Sequence, residues 1–347
     1  MNRSVTITDF FNLPETLPLI DVRTPAEFEH GHVPGAYNIP LFSNEERVKV
    51  GTTYKQQSRE DAILLGFDLT GGKWSGFIRT ALKIAPHKKV AVHCWRGGMR
   101  SGAMAWALGL YGFEVYLIQG GYKNYRRWVL QQFEAPYKLF VLGGMTGSGK
   151  TKILHELAKQ SQQIVDLEEL AQHQGSSYGT LNKMVQPTQE QFENNLARQL
   201  YQQNKAKPIW LEDESQTIGK RFIPKRLWVQ MRQAALINLQ VPHEQRIIAL
   251  TAEYGSLDKD FLIDCTQRIN KRLGPEQTKH AIAAINENRM EDFVRLVLVY
   301  YDKTYQNGLS KREAQKVYNV TAESSDAKKN AQLTLNFVNQ NSGFIEA

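Results

Sequence analysis

The sequence predicts an α/β protein in which two parallel-sheet domains follow one another, the second with a helical C-terminal part. Three observations predict this class. Short apolar runs alternate with helical patterns along both halves, a glycine-rich loop follows one such run, and an Ala-Pro pair at residues 135–136 separates the halves. The 347 residues, 41% of them hydrophobic, suffice for two cores. We expect domains at residues 1–134 and 138–347.

The first half begins its alternation with LPLIDVR (17–23), an apolar run typical of a buried strand. The next segment, TPAEFEHG, predicts a helix with a Thr cap, a Pro in its first turn and a Gly at its end. Further strands are predicted at 88–94 and 113–121, with a helix at 98–112 between them. Strands separated by helices favour a parallel sheet.

The second half repeats the pattern and predicts a doubly wound, nucleotide-type domain. Its five candidate strands are residues 138–144, 162–167, 207–213, 245–252 and 316–322. Residues 256–310 have a mainly helical pattern.

Composition excludes several classes of protein. No apolar run approaches the ~18 residues of a membrane span, and the N-terminus lacks the pattern of a signal peptide, so we expect a cytoplasmic protein without a membrane partner. Two cysteines, Cys94 and Cys265, make no disulfide framework. Cys265 lies on a helical pattern, which predicts a packing role.

The net charge of +8 suits a polyanionic partner such as RNA, although a basic protein without such a partner has the same composition. Cations cluster beside aromatic residues at 122–128, 219–226 and 268–274. In the second of these clusters the candidate RNA contacts are Arg221, Lys225 and Arg226.

The stretch VAVHCWRGGMRSG (90–102) places Cys94 at a predicted strand end, ahead of a helix. Ligands of open α/β sheets bind at this end of the strands. The loop can form an anion site from Arg96, Gly97, Gly98 and Arg100. Such a site depresses the pKa of a thiol, so Cys94 is a candidate catalytic nucleophile rather than a packing residue.

The stretch GGMTGSGKT matches the phosphate-loop pattern, with a strand before it and a helix after it. Its candidate diphosphate-binding residues are Gly144, Gly147, Ser148, Gly149, Lys150 and Thr151. Lys150 is expected to reach a terminal phosphate, and Thr151 is a candidate Mg²⁺ ligand. The pattern does not specify ATP, because a diphosphate ester fits the same loop.

Acidic residues follow the next two predicted strands. Asp166 and Asp213 are the candidates for binding Mg²⁺ or for acid–base work, and Glu168, Glu212 and Glu214 stand beside them. A solvated strand end or a helix cap is the alternative for each of them.

Residues 19–40, LIDVRTPAEFEHGHVPGAYNIP, and residues 92–101, VHCWRGGMRS, resemble the rhodanese fold. The resemblance implies that the loop cysteine carries sulfur or selenium. It implies scaffold roles for Asp21, Arg23, Glu27, His32 and Pro34. The loop has the spacing C-x5-R, one residue longer than in the usual sulfurtransferases and closer to rhodanese-like phosphatases. A wider loop is consistent with a larger anion.

A rhodanese-like half followed by a phosphate loop is a narrow combination, and residues 166–179 and 211–220 extend the match. The chain resembles the bacterial tRNA 2-selenouridine synthases over essentially its full length. That family usually has H-R-G-S where this chain has His173, Gln174, Gly175 and Ser176. Gln174 cannot supply the cation of the family pattern.

The family resemblance implies two reactions on a wobble 2-thiouridine of tRNA. The sulfur is first alkylated by geranyl diphosphate held at the phosphate loop, and selenium from selenophosphate then displaces the S-geranyl group. Cys94 receives the selenium. It implies Mg²⁺ as the candidate metal, no tightly bound cofactor, and as partners the tRNA and an enzyme that produces selenophosphate.

Two other functions remain open at this stage. One is an ATP-dependent tRNA sulfurtransferase in which Cys94 delivers sulfur. The other is a non-enzymatic RNA-binding protein that senses nucleotide through the phosphate loop. ATP turnover identifies the sulfurtransferase, because only this enzyme consumes ATP. Loss of Cys94 identifies the regulator, because only the regulator tolerates it.

Overall fold

The protein is represented by a computed structural model that describes residues 2–173, 178 and 185–341. It divides into two compact units. The first comprises Met1–Gln132 with Glu193–Arg198, and the second comprises Phe133–Phe192 with Gln199–Ala347. The family-pattern residues Gln174, Gly175 and Ser176 lie outside the described residues.

The first unit follows the strand and helix alternation that the sequence predicts. Its elements, the last of which runs into the next unit, are β1 (Asn2–Val5), α1 (Ile7–Phe11), β2 (Leu19–Asp21), α2 (Pro25–His30), β3 (Tyr37–Asn38), α3 (Asn44–Gln56), α4 (Arg59–Thr70), α5 (Trp74–Ile84), β4 (Lys89–His93), α6 (Met99–Leu110), β5 (Glu114–Ile118) and α7 (Gly121–Glu134).

The five strands form a parallel sheet in the order β1-β5-β4-β2-β3. Strand β4 is central, and its buried residues Val90 and Val92 join Cys94 in one hydrophobic cluster. Helix α2 begins as predicted, because Thr24 and Glu27 form a reciprocal capping box and Pro25 occupies the first turn. The sheet therefore delivers Cys94 to the carboxyl end of its central strand.

The second unit contains the remaining elements. They are β6 (Leu139–Gly144), α8 (Lys150–Lys159), β7 (Gln163–Val165), α9 (Leu167–Ala171), α10 (Gln189–Gln202), β8 (Ile209–Glu212), β9 (Thr217–Ile218), β10 (Arg221–Phe222), α11 (Lys225–Gln233), β11 (Ala235–Gln240), α12 (His243–Tyr254), α13 (Lys259–Arg268), α14 (Asn270–Leu273), α15 (Pro275–Asn286), α16 (Met290–Leu309), β12 (Val317–Thr321) and α17 (Ala327–Gln340). The middle of α10 groups with the first unit.

A second parallel sheet has the order β12-β11-β6-β8-β7. Strands β9 and β10, which lie between β8 and β11 in the sequence, form a separate antiparallel pair. Strand β6 is central and fully buried, so the phosphate loop that follows it starts from the middle of the sheet. Helices α13 to α16 account for residues 256–310, as predicted. Cys265 is buried in their core cluster.

The strand predicted at residues 245–252 is wrong, because this segment lies in helix α12. Its buried residues Arg246, Ile247, Leu250 and Tyr254 recur at helical spacing, and Pro242 caps the helix start. The fifth strand of the sheet is β11, whose run ALINLQ is buried except at its last residue. Both segments are short apolar runs, and periodicity separates such runs poorly.

No helix among the described residues is long and apolar enough to cross a membrane.

Candidate active sites

Cys94 lies between the end of β4 and the start of α6, and two donors point at its sulfur. The Gly98 backbone N–H lies 3.3 Å from Sγ, and the Ser101 hydroxyl lies 3.2 Å from it. Cys94 itself is only 4% exposed. A sulfur that accepts two hydrogen bonds at a helix N-terminus is arranged for the negative charge of a thiolate.

The pKa of Cys94 lies below its ordinary value, although opposing effects act on it. Burial raises the pKa of the thiol. The hydrogen bonds from Ser101, the charge of Arg100 and the Arg96 backbone lower the pKa by more than burial raises it. The site therefore favours the nucleophilic thiolate more than the surroundings of an ordinary cysteine do.

The loop after Cys94 is shaped by close backbone contacts with the Gly120–Gly121 turn that follows β5. A Cβ atom at Gly121 would lie 2.2 Å from the Cys94 carbonyl oxygen, and Gly121 has a φ of +56°. The Tyr122 N–H donates to that carbonyl at 2.8 Å. Gly97 has a φ of +66°, as expected for a loop glycine. The sequence reasoning missed this turn, whose signal was the pair of glycines directly after a strand.

The two arginines of the loop have different environments. Arg100 is paired with Glu27, with guanidinium nitrogens 2.8 and 3.3 Å from the carboxylate oxygens. Arg96 is exposed and has no ion-pair partner among the described residues. The charge of Arg100 is therefore neutralised in part, while that of Arg96 is not.

Buried polar groups support the loop from below. Asp21 and Arg23 form an ion pair at 2.6 Å, with side chains 0% and 1% exposed, and Arg23 also donates to the Gly31 carbonyl at 2.7 Å. The Arg23 guanidinium stacks 3.6 Å from the Tyr122 ring. These contacts agree with scaffold roles for Asp21 and Arg23, whereas Glu27 touches the functional loop through Arg100.

The phosphate loop runs from the end of β6 to the start of α8. Gly147 and Gly149 adopt φ values of +84° and +77°, which residues with a side chain rarely adopt. The Lys150 ammonium donates to the Gly144 carbonyl at 3.0 Å. The Ser148 hydroxyl is buried and has no hydrogen-bond partner among the described residues. A bound phosphate offers partners to Lys150 and Ser148 alike.

Residues distant in sequence brace this loop. Arg246 donates to the Thr146 carbonyl at 3.0 Å and forms a two-pronged ion pair with Asp302 at 2.8 and 2.7 Å. The Tyr305 hydroxyl accepts from the Gly144 N–H at 2.8 Å. Sequence reasoning missed all three residues, because they lie on helices that carry no motif.

The carboxylates closest to the phosphate loop are glutamates. The Thr151 hydroxyl donates to Glu168 at 2.9 Å. Burial raises the pKa of Glu168, and the Lys150 charge offsets part of that increase. Burial also raises the pKa of Glu212 well above its usual range and that of Glu214 to about 8, and the charge of Glu168 adds to both shifts.

Asp166 and Asp213, the predicted Mg²⁺ or acid–base residues, have side-chain partners in the structure. Asp166 caps α9 by accepting from the Glu169 N–H at 2.8 Å, and its other oxygen lies 2.8 Å from His155. The ligand atoms of His155, Asp166 and Glu169 lie within 4.8 Å of one another, close enough to share a metal ion. Asp213 pairs with the buried Arg312 at 2.7 Å. The glutamates beside Thr151 are further candidates for binding a cation.

The residues beside Thr151 fit a divalent cation. Neither carboxylate oxygen of Glu212 has a hydrogen-bond partner among the described residues, and both oxygens are buried. Mg²⁺ prefers oxygen ligands, and its positive charge would offset the repulsion among the carboxylates of Glu168, Glu212 and Glu214. Thr151, Glu168 and Glu212 are therefore the residues that would hold the ion directly or through its water.

The predicted RNA contacts lie together in sequence on β10 and at the start of α11. Lys225 and Arg226 are exposed in the first turn of α11, where the helix dipole disfavours cations. They line a cavity of about 730 Å³ together with Phe133 and Val229. Arg221 is partly exposed on β10. A phosphate here would offset an otherwise unfavourable placement of positive charge.

The fold and the two sites define a rhodanese-like domain joined to a P-loop domain, and comparison with known proteins agrees. The family model for a rhodanese-like domain matches residues 8–127, and that for the tRNA 2-selenouridine synthase AAA domain matches residues 137–332. The chain belongs to the tRNA 2-selenouridine synthase family, so the predictions of fold class and family are confirmed.

Three relatives are named tRNA 2-selenouridine synthase. The protein of Shewanella frigidimarina is 36% identical, over 88% of this chain and 92% of the relative. That of Shewanella woodyi is 34% identical, over 87% and 90%. That of Nitrosomonas europaea is 33% identical, over 85% and 90%. The match spans both domains.

Proposed function

We propose that this enzyme converts a wobble 2-thiouridine of tRNA to 2-selenouridine through an S-geranyl intermediate. Membership of the synthase family supports the overall conversion. The observation that supports two steps is the presence of two anion sites of different kinds, a low-pKa thiol in one unit and a phosphate loop in the other. Geranyl transfer at the phosphate loop followed by selenium transfer at Cys94 gives each site one step.

In the first step the thiouridine sulfur attacks the C1 carbon of geranyl diphosphate, and the bond from C1 to the diphosphate oxygen breaks. The phosphate-loop N–H groups and Lys150 stabilise the charge that develops on the leaving diphosphate. A bound Mg²⁺ would supply further charge neutralisation for the diphosphate. Glu212 and Glu168 would hold that ion beside Thr151.

In the second step the Cys94 thiolate attacks the phosphorus of a selenophosphate held in its loop, so that an S–P bond forms, the Se–P bond breaks and hydrogen selenide leaves. Hydrogen selenide then adds at C2 of the modified base while geranyl thiolate leaves, and water hydrolyses the cysteine S-phosphate to phosphate and free Cys94. Alkylation in the first step makes this departure feasible, because an alkylated sulfur leaves as a thiolate rather than as sulfide. Arg96 would hold the donor anion, and the hydrogen bonds from Ser101 and Gly98 support the Cys94 thiolate.

The tRNA would contact the basic residues Arg221, Lys225 and Arg226, whose neighbours include the exposed Phe222. An enzyme that makes selenophosphate supplies the donor. The reaction belongs in the cytoplasm, where tRNA is found and thiols such as Cys94 are kept reduced.

The test is mass spectrometry of tRNA nucleosides after incubation with geranyl diphosphate alone and after later addition of selenophosphate. We expect S-geranyl-2-thiouridine in the first sample and 2-selenouridine in the second, without ATP. Thiouridine that is unchanged unless ATP is added would overturn the proposal and favour an ATP-dependent sulfurtransferase.

A further inference from the structure

A cavity in the first unit lies against the loop of Cys94 and takes no part in the chemistry described above. Its volume is about 560 Å³, which lies within the usual range for small-ligand sites. It is bounded by helices α3 and α4 and by the first turns of α5 and α6. We call it the apolar cup and define it by Val48, Tyr54, Phe67, Trp74 and Met99.

The walls of the cup are unusually exposed for residues of their type. Val48 is 66% exposed, Tyr54 55%, Phe67 60% and Met99 56%. Apolar residues that are scattered singly over a surface need no explanation, but a concave cluster of them marks a binding site. The cup therefore has the form of a site for an apolar group.

The same turn of α6 lines the cup and holds the nucleophile. Gly98 and Ser101 donate to the Cys94 sulfur, while Met99 and Arg100 line the cup. An apolar group seated in the cup therefore lies beside the loop that holds the nucleophile. The geranyl leaving group of the second step needs an apolar site close to this loop.

The charges around the cup are all positive. Arg47, Lys55 and Arg59 line it together with Arg100, and no carboxylate does. Arg47, Lys55 and Arg59 have no ion-pair partner among the described residues, whereas Arg100 is paired with Glu27. An apolar cavity with unpaired cations beside it suits an apolar chain carried by a phosphate-bearing molecule.

We propose that the apolar cup binds the geranyl chain of the S-geranylated wobble base during selenium transfer, with Arg47, Lys55 and Arg59 meeting the tRNA backbone. The inference rests on the proposed function and deepens it. It explains how the enzyme recognises its own intermediate, because unmodified 2-thiouridine has nothing to fill the cup. Free geranyl diphosphate shares the same chemistry, so the test must separate the two ligands.

The experiment measures binding of the full-length protein to two synthetic anticodon stem-loops, one with S-geranyl-2-thiouridine and one with 2-thiouridine at the wobble position. Burial of several methylene groups should make the geranylated RNA bind roughly tenfold more tightly or better. Phe67→Asp and, on another helix, Val48→Asp should reduce this preference to near unity. Leu64→Asp, on α4 but outside the cup and 63% exposed, is the matched control and should keep it.

A parallel titration with geranyl diphosphate identifies the source of the chain. Its affinity should depend on Lys150 and not on Phe67. An affinity for geranyl diphosphate that depends on Phe67 and not on Lys150 would make the cup a donor site and overturn its assignment to the modified base. A preference for geranylated RNA that persists in both folded cup variants, Phe67→Asp and Val48→Asp, would overturn the assignment as well. The RNA is geranylated by synthesis, so the binding result does not depend on whether the enzyme geranylates. Failure of the proposed function would appear separately, in the nucleoside profile.

Discussion

The two sites share a plan, a central parallel strand followed by a glycine loop and a helix N-terminus, but they differ in what completes them. At Cys94 the donors Gly98 and Ser101 already face the sulfur, and Arg100 already has Glu27. At the phosphate loop the Ser148 hydroxyl and both oxygens of Glu212 lack partners among the described residues. The first site is preorganised around its own nucleophile, whereas the second is completed only by a ligand.

The largest effect should come from removing the nucleophile of the preorganised site. Cys94→Ser should lower 2-selenouridine formation by roughly a hundredfold or more, because a serine hydroxyl is scarcely ionised at neutral pH. Geranylation needs no thiolate, so S-geranyl-2-thiouridine should accumulate in the nucleoside profile. The control is Cys265→Ser, since Cys265 is buried in a helical core. Full selenouridine yield from Cys94→Ser would remove the residue from the mechanism.

The next effect should come from the ligand-completed site. Lys150→Ala removes the ammonium that meets the leaving diphosphate and should slow geranylation by roughly 10²–10³-fold. Selenium transfer to RNA geranylated beforehand should continue, since that step involves no diphosphate. Lys152→Ala, two residues along on the same helix, is the matched control. Normal geranylation by Lys150→Ala would separate the phosphate loop from the prenyl donor.

The contrast also explains which features were predictable from the sequence. Cys94 and the phosphate loop are local motifs with fixed spacing, and both lie where they were predicted, at the ends of β4 and β6. Glu27 pairs with Arg100 across 73 positions of sequence, which only the folded sheet brings together. The fold class followed from the predicted alternation of strands and helices. The described residues contain twelve strands and seventeen α-helices in such an alternation.

Short apolar segments and pairing partners were less predictable. The run QRIIALTA has no local feature that separates strand from helix, and only its packing reveals α12. Glu212 and Asp213 are adjacent in sequence, and one residue of register decides which side chain meets Arg312. The apolar cup joins residues from four helices, so no sequence window contains it.

A smaller effect tests the preorganisation of the Cys94 site through its charges. Arg100→Ala removes a cation that lowers the thiol pKa and leaves Glu27 unpaired, so the Cys94 pKa should rise. Glu27→Gln should move the pKa the other way. The pH profile of iodoacetamide alkylation, recorded with Cys265 replaced by Ser, measures both shifts. Identical profiles for the two variants would show that Arg100 acts through structure alone.

A further test concerns the basic residues of the second unit. Binding of tRNA should weaken linearly on a double logarithmic plot of affinity against salt, with a slope set by the number of phosphate contacts. Arg226→Glu should weaken binding a few-fold and reduce the slope by about one. Geranyl diphosphate affinity should not change. A slope equal to that of the wild type would exclude Arg226 from the interface.

The smallest effect is a pH dependence of protein stability that comes from Glu214, beside the phosphate loop. Burial raises the pKa of Glu214 to about 8, from about 4.5 in an unfolded chain. Because the folded-state pKa is the higher one, the stability that its proton provides is fully present below pH 4.5 and is lost as the pH rises towards 8. Glu214→Gln removes this titration and relieves the repulsion with Glu168. The variant should match the wild type at acidic pH. At alkaline pH its free energy of unfolding, measured by urea denaturation, should be higher by roughly 1–2 kcal/mol.

Two comparisons sharpen this last test. Glu244 is an exposed glutamate of the same unit whose pairing with Arg295 lowers its pKa to about 2, so Glu244→Gln should leave the loss of stability between acidic and alkaline pH as it is in the wild type. Added Mg²⁺ should stabilise the wild type at alkaline pH, where the carboxylates are ionised and able to bind it, and should stabilise Glu214→Gln less. If the stability profiles of the wild type and Glu214→Gln are parallel and neither changes with Mg²⁺, the glutamates beside Thr151 do not form a cation site.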